Sequence, residues 1–318
     1  MLNKTSQEVC QTCGASINTA WSYCLACWSK IAVSQSDLTD FAITEAVSFT
    51  KLTWAPDGLQ IAFSSQLAGT NALMPGGNIY VMEADGQNLQ QLSHHLASSW
   101  APSWSPDGSQ IAFTSDQDGS PAIYVMSTQG NDIRRLSDPT ALDSDPAWSP
   151  DSKRIAFTRD RDGHMDLFAM DKDGTNVSRL TESPSKDYQP AWSPDGTQIS
   201  FASGTGFNIN ICITDSSGNV RPLTDISGTS NYPSWSPDGT KITFVGDHLG
   251  DIGPAIYVMN SDGTNVRQLK DCLGIIKDGY PNWSPDGHRI AFVSNRSGKS
   301  NIFTMNTDGG NVQQITGQ

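Results

Sequence analysis

The sequence predicts an all-β protein: a six-bladed β-propeller of four-stranded antiparallel blades, preceded by a small zinc ribbon. Three observations support this prediction. A Trp-Ser-Pro-Asp-Gly motif recurs with a period near 44 residues, apolar runs typical of strands follow each copy, and four cysteines crowd the first 30 of the 318 residues. We predict three parts: the ribbon at 1–30, a linker at 31–48 and the propeller at 49–318.

Each repeat contains one tryptophan at the same place in its motif. The motif reads LTWAPDG, PSWSPDG, PAWSPDS, PAWSPDG, PSWSPDG and PNWSPDG, with tryptophans spaced by 50, 44, 44, 43 and 48 residues. A packing residue is needed once per unit, whereas a binding residue is needed once per protein. We therefore interpret these residues as packing between blades rather than as stacking platforms for a ligand: Trp54, Trp104, Trp148, Trp192, Trp235 and Trp283.

Residues 190–224 show how one repeat is built. PAW predicts a short strand A, QISFAS an alternating and half-buried strand B, NINICIT a strand C, and VRPLT a strand D. SPDG and SSGN are tight turns. The aspartates of the repeated PDG sequence are therefore turn formers first, with a ring of metal ligands as the alternative. Four such strands cannot bury themselves alone, and radial stacking of the blades buries them.

The order WSPDG, IAF-x-S, IYVM, DG and LT resembles the TolB-like, WD-repeat-like propellers over about 270 residues. This resemblance implies a fold and does not imply a function. In the protein that gives the family its name, the propeller is periplasmic and follows an α/β domain. In this sequence, a segment with four cysteines precedes the propeller instead of an α/β domain.

The cysteine module contains two C-x2-C pairs, Cys10 with Cys13 and Cys24 with Cys27. Two such pairs can present four thiolates to one tetrahedral Zn²⁺, which leaves no open position for a catalytic water. The spacing resembles a short zinc ribbon, and we predict a structural zinc; two disulfides are the alternative. Part of the linker, near 41–47, is expected to form a strand that helps to close the ring.

The net charge and the lack of long apolar stretches limit the kinds of molecule that the protein is expected to bind. The net charge of −13 repels phosphate backbones, so we expect no nucleic acid on the propeller. The N-terminus has no apolar run typical of a secretory signal, and no stretch is long enough to span a membrane. We expect a monomeric cytoplasmic protein, or a periplasmic one if a leader has been removed, with a protein or peptide as partner.

Because strands alternate in direction, the constant A–B and C–D turns share one face, here named the turn face. The B–C and D–A loops share the other, the variable face. Variation among equal repeats is what a specific site requires, so we place a ligand at the channel mouth on the variable face. The candidate binding residues are Trp100, Asp143, Asp145, Asp187, Tyr188, Tyr232, Asp278 and Tyr280. A solvated acidic rim is the alternative interpretation.

Two B–C loops have the carboxylates that calcium prefers, and Ca²⁺ is a further candidate there: Asp116 and Asp118, and Asp160, Asp162 and Asp166. Neither G-x-S-x-G nor H-E-x-x-H occurs, which favours a non-enzymatic binding scaffold. The alternative is a metal-dependent polysaccharide lyase or hydrolase, whose metal site would resemble that of oligogalacturonate lyases. The candidate metal ligands are the histidines of the variable face: His94, His95, His164 and His248. Cys212 is expected in the core, and Cys272 has no predicted role.

Overall fold

The structure, a computed structural model, describes residues 48–66, 77–94, 97–215, 218–225, 228–248, 253–269 and 277–317. The predicted zinc ribbon, the strand expected near 41–47 and Cys272 lie outside these ranges. The described residues form 24 β-strands, which confirms the all-β prediction. Within them there is no helix long and apolar enough to cross a membrane.

Each successive group of four strands forms one blade, and the blades are numbered along the chain. Blade 1 contains β1 (Ser48–Trp54), β2 (Gln60–Gln66), β3 (Asn78–Glu83) and β4 (Gln90–Gln91). Blade 2 contains β5 (Ser99–Trp104), β6 (Gln110–Ser115), β7 (Ala122–Ser127) and β8 (Arg134–Arg135). Blade 3 contains β9 (Leu142–Trp148), β10 (Arg154–Arg161), β11 (His164–Asp171) and β12 (Ser178–Arg179).

The second half of the chain repeats the pattern. Blade 4 contains β13 (Lys186–Trp192), β14 (Gln198–Thr205), β15 (Asn208–Asp215) and β16 (Val220–Pro222). Blade 5 contains β17 (Gly228–Trp235), β18 (Lys241–His248), β19 (Ala255–Asn260) and β20 (Arg267–Gln268). Blade 6 contains β21 (Asp278–Trp283), β22 (Arg289–Ser294), β23 (Asn301–Asn306) and β24 (Gln313–Gln314).

Strands within a blade pair antiparallel in chain order, as predicted. Blades 4 and 5 are additionally joined by one parallel pair, Ile209 with Thr229. The first strands of consecutive blades contact one another, and β1 contacts β21 of blade 6. These innermost strands surround the central channel, which is where residues from distant repeats meet.

The second strand of each blade is buried on both faces. The sequence predicted a half-buried strand B, and this was wrong, because Ser200 of β14 is as fully buried as its apolar neighbour Phe201. The reason is that each strand lies between two neighbouring blades. Trp104 and Phe113 of blade 2, for example, pack against Ala62 and Ile79 of blade 1.

The repeated tryptophans pack between blades, which confirms their predicted role. The indole Nε1 of Trp192 donates a hydrogen bond of 3.2 Å to the carbonyl oxygen of Ala147 in the preceding blade. Trp235 makes the same bond to Ala191, also at 3.2 Å. The repeated tryptophan thus links blade 4 to blade 3 and blade 5 to blade 4.

The aspartates of the SPDG turns form the turns, also as predicted. In blade 2, Asp107 Oδ1 accepts the Ser105 hydroxyl at 2.7 Å and the Ser109 backbone N–H at 2.9 Å. Gly108 takes the left-handed conformation that closes the turn, with φ of 74°. In blade 3 a serine, Ser152, occupies this position with φ of 58° and accepts the backbone N–H of Asp107 at 3.0 Å.

Candidate functional site: the central channel

The innermost strand of each blade has a β-bulge just before its tryptophan. The pairing of β13 with β14, for example, shifts register between Tyr188 and Ala191. At the third position before the tryptophan the backbone is left-handed in blades 2 to 6, with φ of 52° at Ala101, 54° at Asp145, 59° at Gln189, 55° at Tyr232 and 55° at Tyr280. Such a bulge redirects the side chain, and each non-glycine residue in this region costs about 1–3 kcal/mol.

We name the residues at this position the channel layer: Lys51, Ala101, Asp145, Gln189, Tyr232 and Tyr280. The residue that follows is proline in five of the six repeats, and the tryptophan is constant. The channel layer instead differs from blade to blade, apart from its two tyrosines. Variation at this one position makes the six-fold repeated strand chemically asymmetric in the channel.

Residues of the channel layer contact one another although they are far apart in the chain. The rings of Tyr232 and Tyr280 lie with their centroids 4.3 Å apart. The amide oxygen of Gln189 accepts the backbone N–H of Tyr232 at 3.0 Å. The Lys51 amine donates to the carbonyl oxygen of Pro146 at 3.5 Å. The layer therefore joins blades 1, 3, 4, 5 and 6.

Two opposite charges face the channel without a direct contact. Burial lowers the pKa of Lys51, and the negative charge of Asp145 opposes that effect. Burial raises the pKa of Asp145, and the charge of Lys51 opposes it in turn. The two groups do not form an ion pair of 4.0 Å or less. Burial, together with the charge of Asp145, also raises the pKa of Tyr188 to about 12.

A cavity of about 230 Å³ occupies the end of the channel nearest the turn face. It is lined by the last four positions of the innermost strands, from the channel layer to the tryptophan, so it lies beyond the layer when approached from the variable face. Polar side chains line part of the cavity, among them Lys51 and Gln189 at the layer and Ser103, Ser234 and Asn282 beyond it. Prolines and indoles supply much of the remaining wall: Pro102, Pro146, Pro190, Pro233, Pro281, Trp148, Trp192, Trp235 and Trp283.

Three of the predicted ligand carboxylates are turned into the blades instead. Asp143 is fully buried and forms two hydrogen bonds with the Arg159 guanidinium, at 2.7 and 2.8 Å. Asp278 accepts Arg296 at 2.6 Å, and Asp187 accepts the Ser203 hydroxyl at 2.6 Å. A ligand role for these three residues stays a prediction, but protein donors already hold their carboxylates.

The other predicted residues lie at the channel. Trp100 and Tyr188 occupy the position just before the channel layer, and both are half-buried. The Tyr188 hydroxyl donates to Asn231 Oδ1 of blade 5 at 3.4 Å. Sequence reasoning missed Lys51 and Gln189, although aligning the repeats on their tryptophans places both at the position of Asp145, Tyr232 and Tyr280.

The predicted metal loops engage protein donors. Asp118 accepts the Tyr124 hydroxyl at 2.6 Å, and Asp166 accepts Arg179 at 2.8 Å. His164 lies 3.7 Å from Asp166, His94 is exposed, and His95 and the His248 side chain lie outside the described residues. No group of three or more candidate ligands occurs among the residues that the structure describes, and calcium binding stays a prediction.

The repeat motifs and the blade architecture agree with one family. The TolB beta propeller domain matches residues 48–142, 138–224 and 208–318. The chain belongs to the TolB beta-propeller family. No curated protein matches this TolB-like chain in sequence.

Solved structures with the same propeller fold include two that are described as TolB. The structure described as TolB of Agrobacterium tumefaciens is 25% identical, with a TM-score of 0.63, and the match covers 72% of this chain and 84% of that one. TolB of Acinetobacter baumannii is 21% identical with a TM-score of 0.67, covering 86% of this chain and 63% of that one. Oligogalacturonate lyase of Vibrio parahaemolyticus is 14% identical with a TM-score of 0.54, covering 85% and 74%.

Proposed function

We propose that this TolB-like chain is a non-enzymatic binding module that takes a protein or peptide segment into its channel from the variable face. The observation that supports this is the asymmetry of the channel layer. A ring of equal blades needs only packing residues at each position, whereas Lys51, Asp145, Gln189 and the two tyrosines differ in chemistry and meet in one place.

The residues at the mouth have the chemistry of an interface anchor. Trp100 and Tyr188 lie one position nearer the variable face than the channel layer, and both are half-buried. Aromatic anchors of this kind typically contribute about 2 kcal/mol or more when they are buried by a partner. The acidic surface of the protein would act mainly on association rate and salt sensitivity.

The test is capture of partners by the purified full chain, followed by measurement of affinity with the purified partner. Trp100→Ala and Tyr188→Ala should each weaken that affinity at least ten-fold, because truncating an anchor costs about 2 kcal/mol. Asp238→Asn, on the turn face, is the control and should leave affinity unchanged. Equal binding by all three variants would contradict a site at the channel mouth.

A closed ring of six blades is part of the proposal. Blade 1 packs against blade 6 through a shared apolar cluster that includes Trp54, Phe63, Val293 and Ile315. The Trp54 indole also donates to the carbonyl oxygen of Asn282 at 3.2 Å, the same inter-blade bond seen elsewhere in the ring. These contacts support closure of the ring by blades 1 and 6.

A structural zinc held by Cys10, Cys13, Cys24 and Cys27 is also part of the proposal, and it rests on their spacing alone. We expect one zinc per chain by metal analysis, and loss of that zinc in Cys24→Ser. Cys272→Ser is the matched control and should retain the metal. Equal zinc content in both variants would contradict the four-cysteine site. Reduced thiolates suit the cytoplasm, which is our proposed compartment.

The competing class is a polysaccharide lyase, for which the likeness to oligogalacturonate lyase supports the fold only. Incubation of the full chain with polygalacturonate and a divalent cation should produce no unsaturated product. Formation of that product at a rate proportional to protein concentration, and lost in His164→Ala, would overturn the non-enzymatic proposal.

A further inference from the structure

We infer that the cavity at the turn face is a second binding site, specific for a carboxylate group on a small apolar body. It lies on the far side of the channel layer from the mouth described above. The inference rests on the cavity alone, so it stands whether or not a protein partner binds at the variable face.

Charge is the first argument. Lys51 is the only charged residue among the described residues that line the cavity, in a protein whose net charge is −13. Asp145, whose charge affects Lys51, does not line it. A ligand in the cavity therefore meets a single cation and no carboxylate, which favours an anion over a cation or a zwitterion.

The second argument is the incomplete bonding of that cation. An ammonium group can donate three hydrogen bonds, and among the described residues Lys51 makes one, at 3.5 Å, to the carbonyl oxygen of Pro146. A buried charge without full hydrogen bonding is costly. The lowered pKa of Lys51 has the same cause, since burial disfavours the charged amine. A carboxylate oxygen in the cavity would supply the missing acceptor, and charge-assisted hydrogen bonds of this kind are strong.

The walls are the third argument. Prolines and the partly exposed indoles of Trp192, Trp235 and Trp283 offer apolar surface. Lys51 lines the cavity at the layer, as do Tyr232 and Tyr280. The volume of about 230 Å³ holds about eight water-sized groups at roughly 30 Å³ each. A cavity of this volume suits a small aromatic or aliphatic acid, or the last residue of a peptide. The single ammonium group of Lys51 suits the single charge of a carboxylate.

The experiment titrates the full chain with benzoate by calorimetry, with benzamide as the uncharged analogue of the same shape. Benzoate should bind at least about ten-fold more tightly than benzamide, because only benzoate pairs with the ammonium. Lys51→Met, which keeps most of the stem, should remove that preference. Lys153→Met is the matched control: Lys153 is 77% exposed on the turn face, and its loss changes net charge equally without touching the cavity.

A second variant tests the position independently of Lys51. Ala191→Leu fills the cavity while leaving the lysine in place, and it should also abolish benzoate binding. N-acetylphenylalanine, with its amide as the uncharged analogue, distinguishes the two sources of the carboxylate. If this acid binds more tightly than benzoate, the ligand is a peptide terminus; if it binds more weakly, the ligand is a free small acid. Equal affinity of the wild type for benzoate and benzamide, or benzoate binding unchanged in Ala191→Leu, would overturn the inference.

Discussion

At the scale of single residues, buried ion pairs explain why two of the acids expected at the rim are not available there. Arg159 binds Asp143 through two hydrogen bonds, and its guanidinium carbon lies 5.3 Å from the ring centre of Phe157 and 5.0 Å from that of Phe168. Blade 6 repeats this arrangement with Arg296 and Asp278. Such a pair costs desolvation, so it contributes little net stability, but loss of one partner is costly.

We expect Arg159→Met to destabilise the protein by about 3 kcal/mol, because Asp143 would be left as a buried charge without a partner. The exposed Arg161, which lies over the same Phe168 ring at 5.3 Å, is the control. Arg161→Met should cost less than about 1 kcal/mol. Urea unfolding of both variants measures the difference, and similar losses for both would show that the Asp143 pair is energetically unimportant.

The turn aspartates predict a pH dependence. The pKa of Asp238 is lowered, first by the Ser236 hydroxyl and then by the Thr240 backbone N–H. A folded pKa below the unfolded one stabilises the fold above the unfolded value of 3.8, and this stability is lost as pH falls through the folded pKa. The stability difference between wild type and Asp238→Asn should therefore shrink between about pH 6 and about pH 2.

Urea unfolding across that pH range measures this difference for Asp238. Asp162→Asn is the control: Asp162 is exposed at a B–C turn of blade 3 and makes no hydrogen bond among the described residues. Its stability difference from wild type should stay small, because no hydrogen bond between described residues is lost. A stability difference for Asp238→Asn that does not change with pH would contradict a stabilising role for the ionised turn.

At the scale of strands and turns, the glycine of the C–D turn sets how closely one blade approaches the next. Gly174 of blade 3 has φ of 91°, and a Cβ there would lie 2.6 Å from the carbonyl oxygen of Leu136 in blade 2. Gly130 and Gly263 approach the preceding blade in the same way. The repeated DG turn therefore serves inter-blade packing as well as chain reversal.

We expect Gly174→Ala to be more destabilising than Gly163→Ala. Both glycines belong to blade 3 and have positive φ, but a Cβ at Gly163 meets nothing within 4 Å. Gly163→Ala should cost about 1 kcal/mol from the backbone alone, and Gly174→Ala about 2 kcal/mol more from overpacking against backbone. Equal losses in chemical unfolding would mean that the blades separate easily at this turn.

At the scale of the whole molecule, the proposed ring makes the packing between blades 1 and 6 similar to the packing between neighbouring blades elsewhere. Ile315 of blade 6 packs against blade 1 and is 8% exposed, and Leu269 of blade 5 packs against blade 6 and is 7% exposed. A Cβ added at Gly86 would meet Ile315, as one added at Gly309 would meet Leu269. No strand pairing joins blade 1 to blade 6 among the described strands, so packing and the hydrogen bonds between Trp54 and Asn282 hold this contact.

If the ring is closed, Ile315→Ala and Leu269→Ala should destabilise the protein equally, by about 2–4 kcal/mol each, because both open a cavity between packed blades. Urea unfolding of the two variants measures this. A nearly neutral Ile315→Ala beside a costly Leu269→Ala would mean that blade 6 ends in an open edge, and the six-blade ring would be wrong.

Patterns among neighbouring residues are enough to predict the repeat, the tight turns of Asp107 and its equivalents, and the packing tryptophans. These follow from local backbone preferences and from a period that is independent of tertiary detail. The buried Cys212, which stands where other blades have an aromatic residue, was predicted in the same way. The propeller fold could thus be predicted almost entirely.

Contacts between blades, which no local pattern predicts, determine which residues face the channel. The β-bulge in β9 turns Asp145 toward the channel, while Asp143 points into its blade. The position of the bulge sets the register of the strand, and that register depends on packing against neighbouring blades. The same packing brings Lys51 and Asp145 together across 94 positions of sequence. Five of the eight predicted residues, Asp145 and its four aromatic neighbours, therefore lie at the channel. Asp143, Asp187 and Asp278 are held inside the blades because buried charges require partners there.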